Sequence, residues 1–87
     1  MKTEELPDIL PQLASGGEKA FRKVYEKYNP MLRFFCLRYC NDKENANDIV
    51  QEVFVKLWEA HLTFKDESAL RSYLFKTARS LCLNQLR

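Results

Sequence analysis

Apolar residues recur along this chain at three- and four-residue intervals, the period of an α-helix, in four successive segments. In the first, Leu6, Ile9, Leu10 and Leu13 share a face. Pro7 and Pro11 limit it to a short helix within Thr3–Ala14, and Ser15-Gly16-Gly17 ends it. The second runs from Glu18 to about Cys40, where Phe21, Val24, Tyr25, Tyr28, Leu32, Phe35, Cys36 and Tyr39 keep one phase across Asn29-Pro30. Proline removes a helical hydrogen bond and crowds the preceding turn, so the unbroken phase predicts one helix bent near Tyr28 rather than two. Asn41 is the expected N-cap of the third helix, with Glu44 placed to close a capping box. That helix carries Ala46, Ile49, Val50, Val53, Phe54, Leu57 and Ala60 on one arc and reaches about His61. A loop, Leu62–Glu67, follows, and Ser68 is the expected N-cap of a last helix that buries Leu70, Leu74, Phe75, Ala78, Leu81, Cys82 and Leu86. With two glycines, three prolines and no alternating strand pattern, the fold class is all-α. The architecture expected is a compact bundle of three main helices plus a short N-terminal one.

The third helix contains a misfit. Asp48, Glu52 and Glu59 lie opposite the core arc, yet Val55 stands among them, with Gln51 and Trp58 toward the boundary. A solvated acidic face has no use for a valine and a tryptophan there, so the pattern predicts a docking surface for another protein.

Charge sharpens the picture. The net charge is only +2, but it is unevenly distributed. Residues 42–61 carry five acids against two bases, whereas residues 68–87 carry Arg71, Lys76, Arg79 and Arg87 and no acid. Opposite charge on two helices of one small domain points to two partners of opposite charge. On the last helix Ser72, Tyr73, Lys76, Ser80, Leu83, Asn84 and Arg87 share the side away from the core, with Arg79 at its border. Lysine and arginine neutralise phosphates, and a tyrosine offers a stacking plane to an unpaired base. Phe64 in the preceding loop adds a second apolar contact. An ordinary solvated basic face has the same composition, and the missing acids tilt the reading toward a polyanion.

Other chemistry finds less support. Cys36 and Cys40 are one turn apart, and His61 and Cys82 complete a formal metal set. Cys36, however, continues an apolar stripe and no Cys-x-x-Cys unit exists, so buried thiols are expected rather than a metal site. One histidine, no glycine-rich phosphate loop and carboxylates on an open helix face argue for neither an enzyme nor a bound cofactor. An odd cysteine count, no leader-like apolar run near Met1 and no membrane-spanning stretch make a reduced, cytoplasmic protein without membrane insertion the expectation.

Two motifs in order then resemble a known family. Asn45-Ala-Asn-Asp-Ile-Val-Gln-Glu-Val-Phe-Val-Lys-Leu-Trp58, followed by Leu70-Arg-Ser-Tyr-Leu-Phe-Lys-Thr-Ala-Arg79 and Leu86-Arg87, is similar to region 2 of bacterial sigma factors of the extracytoplasmic-function group. Gly16-Gly17-Glu18-Lys19-Ala20-Phe21 matches the family's entry into its second helix, and the likeness covers nearly the whole of residues 1–87. The resemblance implies a helical domain that docks on RNA polymerase core, on the β′ clamp helices, through Asp48, Gln51, Glu52, Val55 and Trp58. It further implies capture of the non-template strand of the promoter −10 element by the loop and last helix. The residues carried over or facing that strand are Phe64, Arg71, Ser72, Tyr73, Lys76, Arg79, Ser80, Asn84 and Arg87. An anti-sigma factor is an implied partner.

Departures from the family pattern limit the transfer. Tyr73-Leu74 stands where Trp-Leu is usual, Ser80 where Asn is favoured and Asn84 where Asp is common. Ser80 lacks an amide's paired donor and acceptor, so promoter sequence preference cannot be carried over. The last helix pattern has no stop signal and the family's C-terminal helix-turn-helix domain is missing, so a truncated chain is expected. The rival reading is a helical protein-interaction module, an adaptor or anti-regulator, which would bind no DNA.

Overall fold

Short-range devices set the helix boundaries. The computed structural model describes residues 6–85, which form α1 (Leu6–Ala14), α2 (Glu18–Cys40), α3 (Lys43–Ala60) and α4 (Glu67–Gln85). The expected all-α bundle is what is observed. Thr3, Leu86 and Arg87 lie outside the described residues.

Gly16 closes α1 with φ +84°, a left-handed conformation that costs glycine nothing. Its N–H donates to the Leu13 carbonyl at 3.1 Å, and the Gly17 N–H to the Gln12 carbonyl at 2.8 Å. A Cβ on Gly17 would meet that carbonyl oxygen at 2.7 Å, so the second glycine is demanded by close backbone approach. The helix α2 then runs continuously through Pro30.

Two expected caps are corrected. Asn41 does not start α3; it ends α2 in the left-handed region (φ 57°), its N–H bonded to the Leu37 carbonyl at 2.9 Å. Asparagine tolerates that conformation, and Asp42 is left to cap α3 by accepting from the Glu44 N–H at 3.1 Å. The capping box of Asn41 with Glu44 is therefore absent. Likewise α4 starts at Glu67, one residue before Ser68, because the Asp66 carboxylate accepts from the Ala69 N–H at 2.9 Å. This start places Glu67 in the first turn, where the helix dipole favours an acid and α2 supplies it with two donors.

The core is continuous. On α2, Ala20, Val24, Tyr28, Leu32 and Cys36 are buried at strict four-residue spacing. Each step of four advances about 40° around the helix, so the stripe winds across the surface of α2. Its early flank, Phe21 and Tyr25, meets Phe54 of α3; its late flank, Phe35, meets Phe75 of α4. In this way one long helix serves both α3 and α4, while α1 packs on it as well. From α3 come Ala46, Ile49, Val50, Val53, Phe54 and Leu57, and from α4 Leu70, Leu74, Ala78 and Cys82, with α1 adding Leu10 and Leu13. Ala60, expected on the buried arc of α3, is exposed in that helix's last turn. The same packing leaves one side of α3 and one of α4 uncovered.

Candidate functional site

The uncovered side of α3 is acidic with an apolar centre. Asp48, Gln51, Glu52 and Glu59 are exposed, and among them Val55 is 51% and Trp58 41% accessible. Neither apolar residue stands alone. Trp58 meets Phe21 of α2 edge to face at 5.0 Å, Phe21 meets Phe54 at 6.1 Å, and Phe54 meets Tyr25 at 4.7 Å. Gln51 is held against this shelf by its Nε2, which donates to the Tyr25 hydroxyl at 3.0 Å. Phe21, Tyr25, Gln51, Phe54, Val55, Trp58 and Glu59 thus line one groove of about 280 Å³ between α2 and α3. Aromatic walls with a carboxylate rim suit an apolar side chain flanked by bases on an incoming partner.

Phe21 and Tyr25, which the helical period places in the core stripe of α2, are half-buried and contribute the groove's second wall.

The uncovered side of α4 is different. Lys76, Arg79, Ser80, Leu83 and Asn84 line a shallow depression of about 450 Å³, with Leu83 41% exposed at its floor. Ser72 is exposed beside it. Tyr73 is half-buried, because Phe64 of the preceding loop packs against its ring at 5.5 Å and 57°. The two expected stacking residues therefore form a pair at one edge of the face.

Arg71 is exposed but belongs to another edge, the seam between α4 and α2. Its charge acts on Tyr28 and Glu67. Arg87 lies outside the described residues.

That seam is tied by Glu67. Its Oε2 accepts from Lys27 Nζ at 2.6 Å and from the Tyr28 hydroxyl at 2.5 Å. Burial first, and the Glu67 hydrogen bond second, push the Tyr28 phenol up to about 12. The hydrogen bond from Lys27, then that from Tyr28, hold the Glu67 carboxyl below its ordinary value. The start of α4, and with it the loop carrying Phe64, is fixed to the middle of α2.

The cysteines gather at the other end of α2. Cys36 and Cys82 are fully buried and Cys40 is partly so, its thiol directed at Gln85 Oε1 at 3.7 Å. Burial raises all three thiols, Cys82 to about 11 with help from a hydrogen bond to Cys36. Among the described residues no group of three or more His, Cys, Asp or Glu is placed to hold a metal ion. His61 packs instead beside Gly16. Among the described residues no helix is long and apolar enough to cross a membrane.

A family model described as sigma-70 region 2 matches residues 24–87. The chain is 26% identical over 83 residues to the RNA polymerase sigma-H factor of Pseudomonas aeruginosa, covering 95% of this chain and 43% of that protein. It is 34% identical over 78 residues to the ECF RNA polymerase sigma factor SigG of Mycobacterium tuberculosis, covering 83% of this chain and 21% of that one. With the ECF RNA polymerase sigma-E factor of Escherichia coli K12 it shares 28% identity over 86 residues, 97% of this chain and 44% of the other. The chain thus spans less than half the length of these relatives. No solved structure matches it.

Proposed function

The chain belongs to the sigma-70 region 2 family, in its extracytoplasmic-function group, and from that premise we propose that it docks on RNA polymerase core and opens the promoter −10 element. The observation that carries this reading is the separation of two chemically opposite faces on one small core. One is an aromatic groove rimmed by carboxylates, the other a basic, hydroxyl-rich face on α4.

The polymerase side is Asp48, Gln51, Glu52, Val55 and Trp58, backed by Phe21 and Tyr25. Carboxylates pair with arginine or lysine of the clamp helices of β′, while Val55 and Trp58 exclude water from those pairs. Gln51 acts partly through position, since its bond to Tyr25 orders the groove's wall.

The DNA side comprises Phe64 and Tyr73 at the edge, with Ser72, Lys76, Arg79, Ser80 and Asn84 along α4. Unstacking a base costs a few kcal/mol, and stacking on Phe64 and Tyr73 with phosphate contacts at Lys76 and Arg79 offsets it. Opening is driven by binding energy, with no covalent step. Arg71, at the seam, sits apart from this set. An anti-sigma factor completes the expected partners and would compete for one of these faces.

The test is capture on core polymerase with wild type, Gln51→Ala and Trp58→Ala, each checked for folding. Both variants are expected to bind at least about ten-fold more weakly, as truncation of central aromatic and polar anchors does. Equal capture by both would overturn the docking assignment. On the DNA side Lys76→Glu should weaken binding of the −10 strand while sparing polymerase capture. A chain that captures core but binds no strand at any salt would instead be a protein-interaction module.

A further inference from the structure

Two rows of residues border the cleft between α2 and α3. Phe21, Tyr25, Asn29 and Arg33 follow at four-residue steps along α2, and Asn47, Gln51, Val55 and Glu59 do the same along α3. The helices run antiparallel here: Phe21 meets Trp58 at 5.0 Å at one end, and the Tyr25 hydroxyl accepts from Gln51 at 3.0 Å midway. Past that bond, Asn29, Arg33 and Asn47 join Tyr25, Val50 and Gln51 around a second pocket of about 270 Å³. Tyr25 and Gln51 line this pocket and the aromatic groove alike, so the two adjoin across their hydrogen bond.

Chemistry changes along this line. The aromatic end carries Glu59 beside Val55 and Trp58, whereas no carboxylate lines the second pocket and its one charge is Arg33. Arg33 is exposed, and the ion pairs among the described residues, Arg22–Glu18 and Lys27–Glu67, leave it out. Asn29 and Asn47 add amide donors, and the buried Val50 gives the pocket an apolar floor. A guanidinium flanked by amide donors suits a carboxylate, which takes two parallel hydrogen bonds from an arginine. From Asn47 to Glu59 the line is about 18 Å long, a stretch that one helix of the partner can follow.

We propose that the Asn29–Arg33–Asn47 pocket binds a carboxylate side chain of the polymerase helix that fills the aromatic groove, and so fixes the direction in which that helix lies. This role rests on the docking reading above. In one direction the helix sets a base against Glu59, an apolar side chain against Val55 and Trp58, and an acid against Arg33. Turned end for end, the same helix brings acid to Glu59 and base to Arg33, and the like charges exclude it. Docking thereby reads the partner's order of charges as well as its apolar side chain.

The experiment measures the affinity of the chain for core polymerase over a range of salt, with wild type, Arg33→Glu, Asn47→Asp and Trp58→Ala, and thermal melts confirm that each folds. Arg33→Glu should bind about ten-fold or more weakly and Asn47→Asp about three-fold, because each sets a negative charge against the partner's acid. Acid-to-arginine substitutions are then placed one at a time along the β′ clamp helices. One of them should weaken capture of wild type and restore Arg33→Glu, a reversal that a purely structural role for Arg33 cannot give. If Arg33→Glu binds like wild type while Trp58→Ala is weakened, only this proposal falls. If both bind like wild type, the docking reading falls with it. A loss at Arg33→Glu that no clamp-helix substitution restores overturns the carboxylate assignment. Weakened −10 strand binding with polymerase capture intact would give Arg33 to a phosphate and overturn it as well.

Discussion

Replacing Glu67 by alanine removes one carboxylate and leaves two donors without their acceptor. The Tyr28 residue is 1% exposed, so its hydroxyl cannot turn to bulk water. Leaving a buried polar group unpaired costs about 1–3 kcal/mol. Arg71 is no substitute, since a guanidinium only donates and the hydroxyl hydrogen keeps no acceptor. The Lys27 side chain is 47% exposed and recovers water, so that ion pair contributes at most about 1 kcal/mol. Loss of an acid from the first turn of α4 adds about 0.3–1 kcal/mol. The total, about 1–5 kcal/mol, lowers the melting temperature of a domain this size by at least roughly 5 °C. The discriminating variant is Tyr28→Phe in the Glu67→Ala background, which removes the stranded hydroxyl and should recover part of the loss. A single mutant melting within about 2 °C of wild type would refute the reasoning, as would a double mutant that is simply additive.

The same carboxylate predicts a pH signature. Because Glu67 is held below its ordinary value, the unfolded chain binds that proton more readily than the folded one. Its stabilisation is complete above the unfolded value and is lost as pH falls through the folded one. The gap between wild type and Glu67→Ala should therefore narrow in acid, measured by urea titration at a series of pH values.

Gly17→Ala should destabilise by about 1–3 kcal/mol, because its Cβ meets the Gln12 carbonyl oxygen at 2.7 Å; a wild-type melting temperature would contradict that approach. Asp66→Ala should cost about 1 kcal/mol and Ser68→Ala a few tenths at most, the reverse order restoring Ser68 as the cap. A soluble thiol reagent at mildly alkaline pH should label Cys40 first, with Cys36 and Cys82 reacting only as the chain opens. Equal rates for all three in the folded state would deny the burial that raises Cys82 to about 11.

Most of the core was legible because a single helix's period reports its own buried arc. The α3 stripe was correct from Ala46 to Leu57 and failed only at Ala60, in the last turn, where no neighbour reaches. Caps were less legible, since Asn41 and Asp42 are both competent and the choice depends on which backbone must turn left-handed. Asp66 took the α4 cap for a reason that lies far away in sequence: it brings Glu67 to Lys27 and Tyr28, about forty residues earlier.

The two candidate faces were legible to different degrees for the same reason. Val55 and Trp58 could be singled out because they violate the polarity of their own helix. Phe21 and Tyr25 obey the polarity of theirs, so nothing local separates a ring wholly inside the core from one half outside it. Tyr73 fails in the opposite sense: the wheel places it outward, but Phe64, from a loop with no periodicity to read, leans on it. Exposure itself was hardest to read at Phe34, an aromatic off the core stripe of a helix already rich in aromatics. A periodic pattern predicts burial toward an unspecified neighbour, whereas an interface is what remains after every real neighbour has been placed. The residues that bear most directly on function are therefore the ones whose exposure contradicts their chemistry.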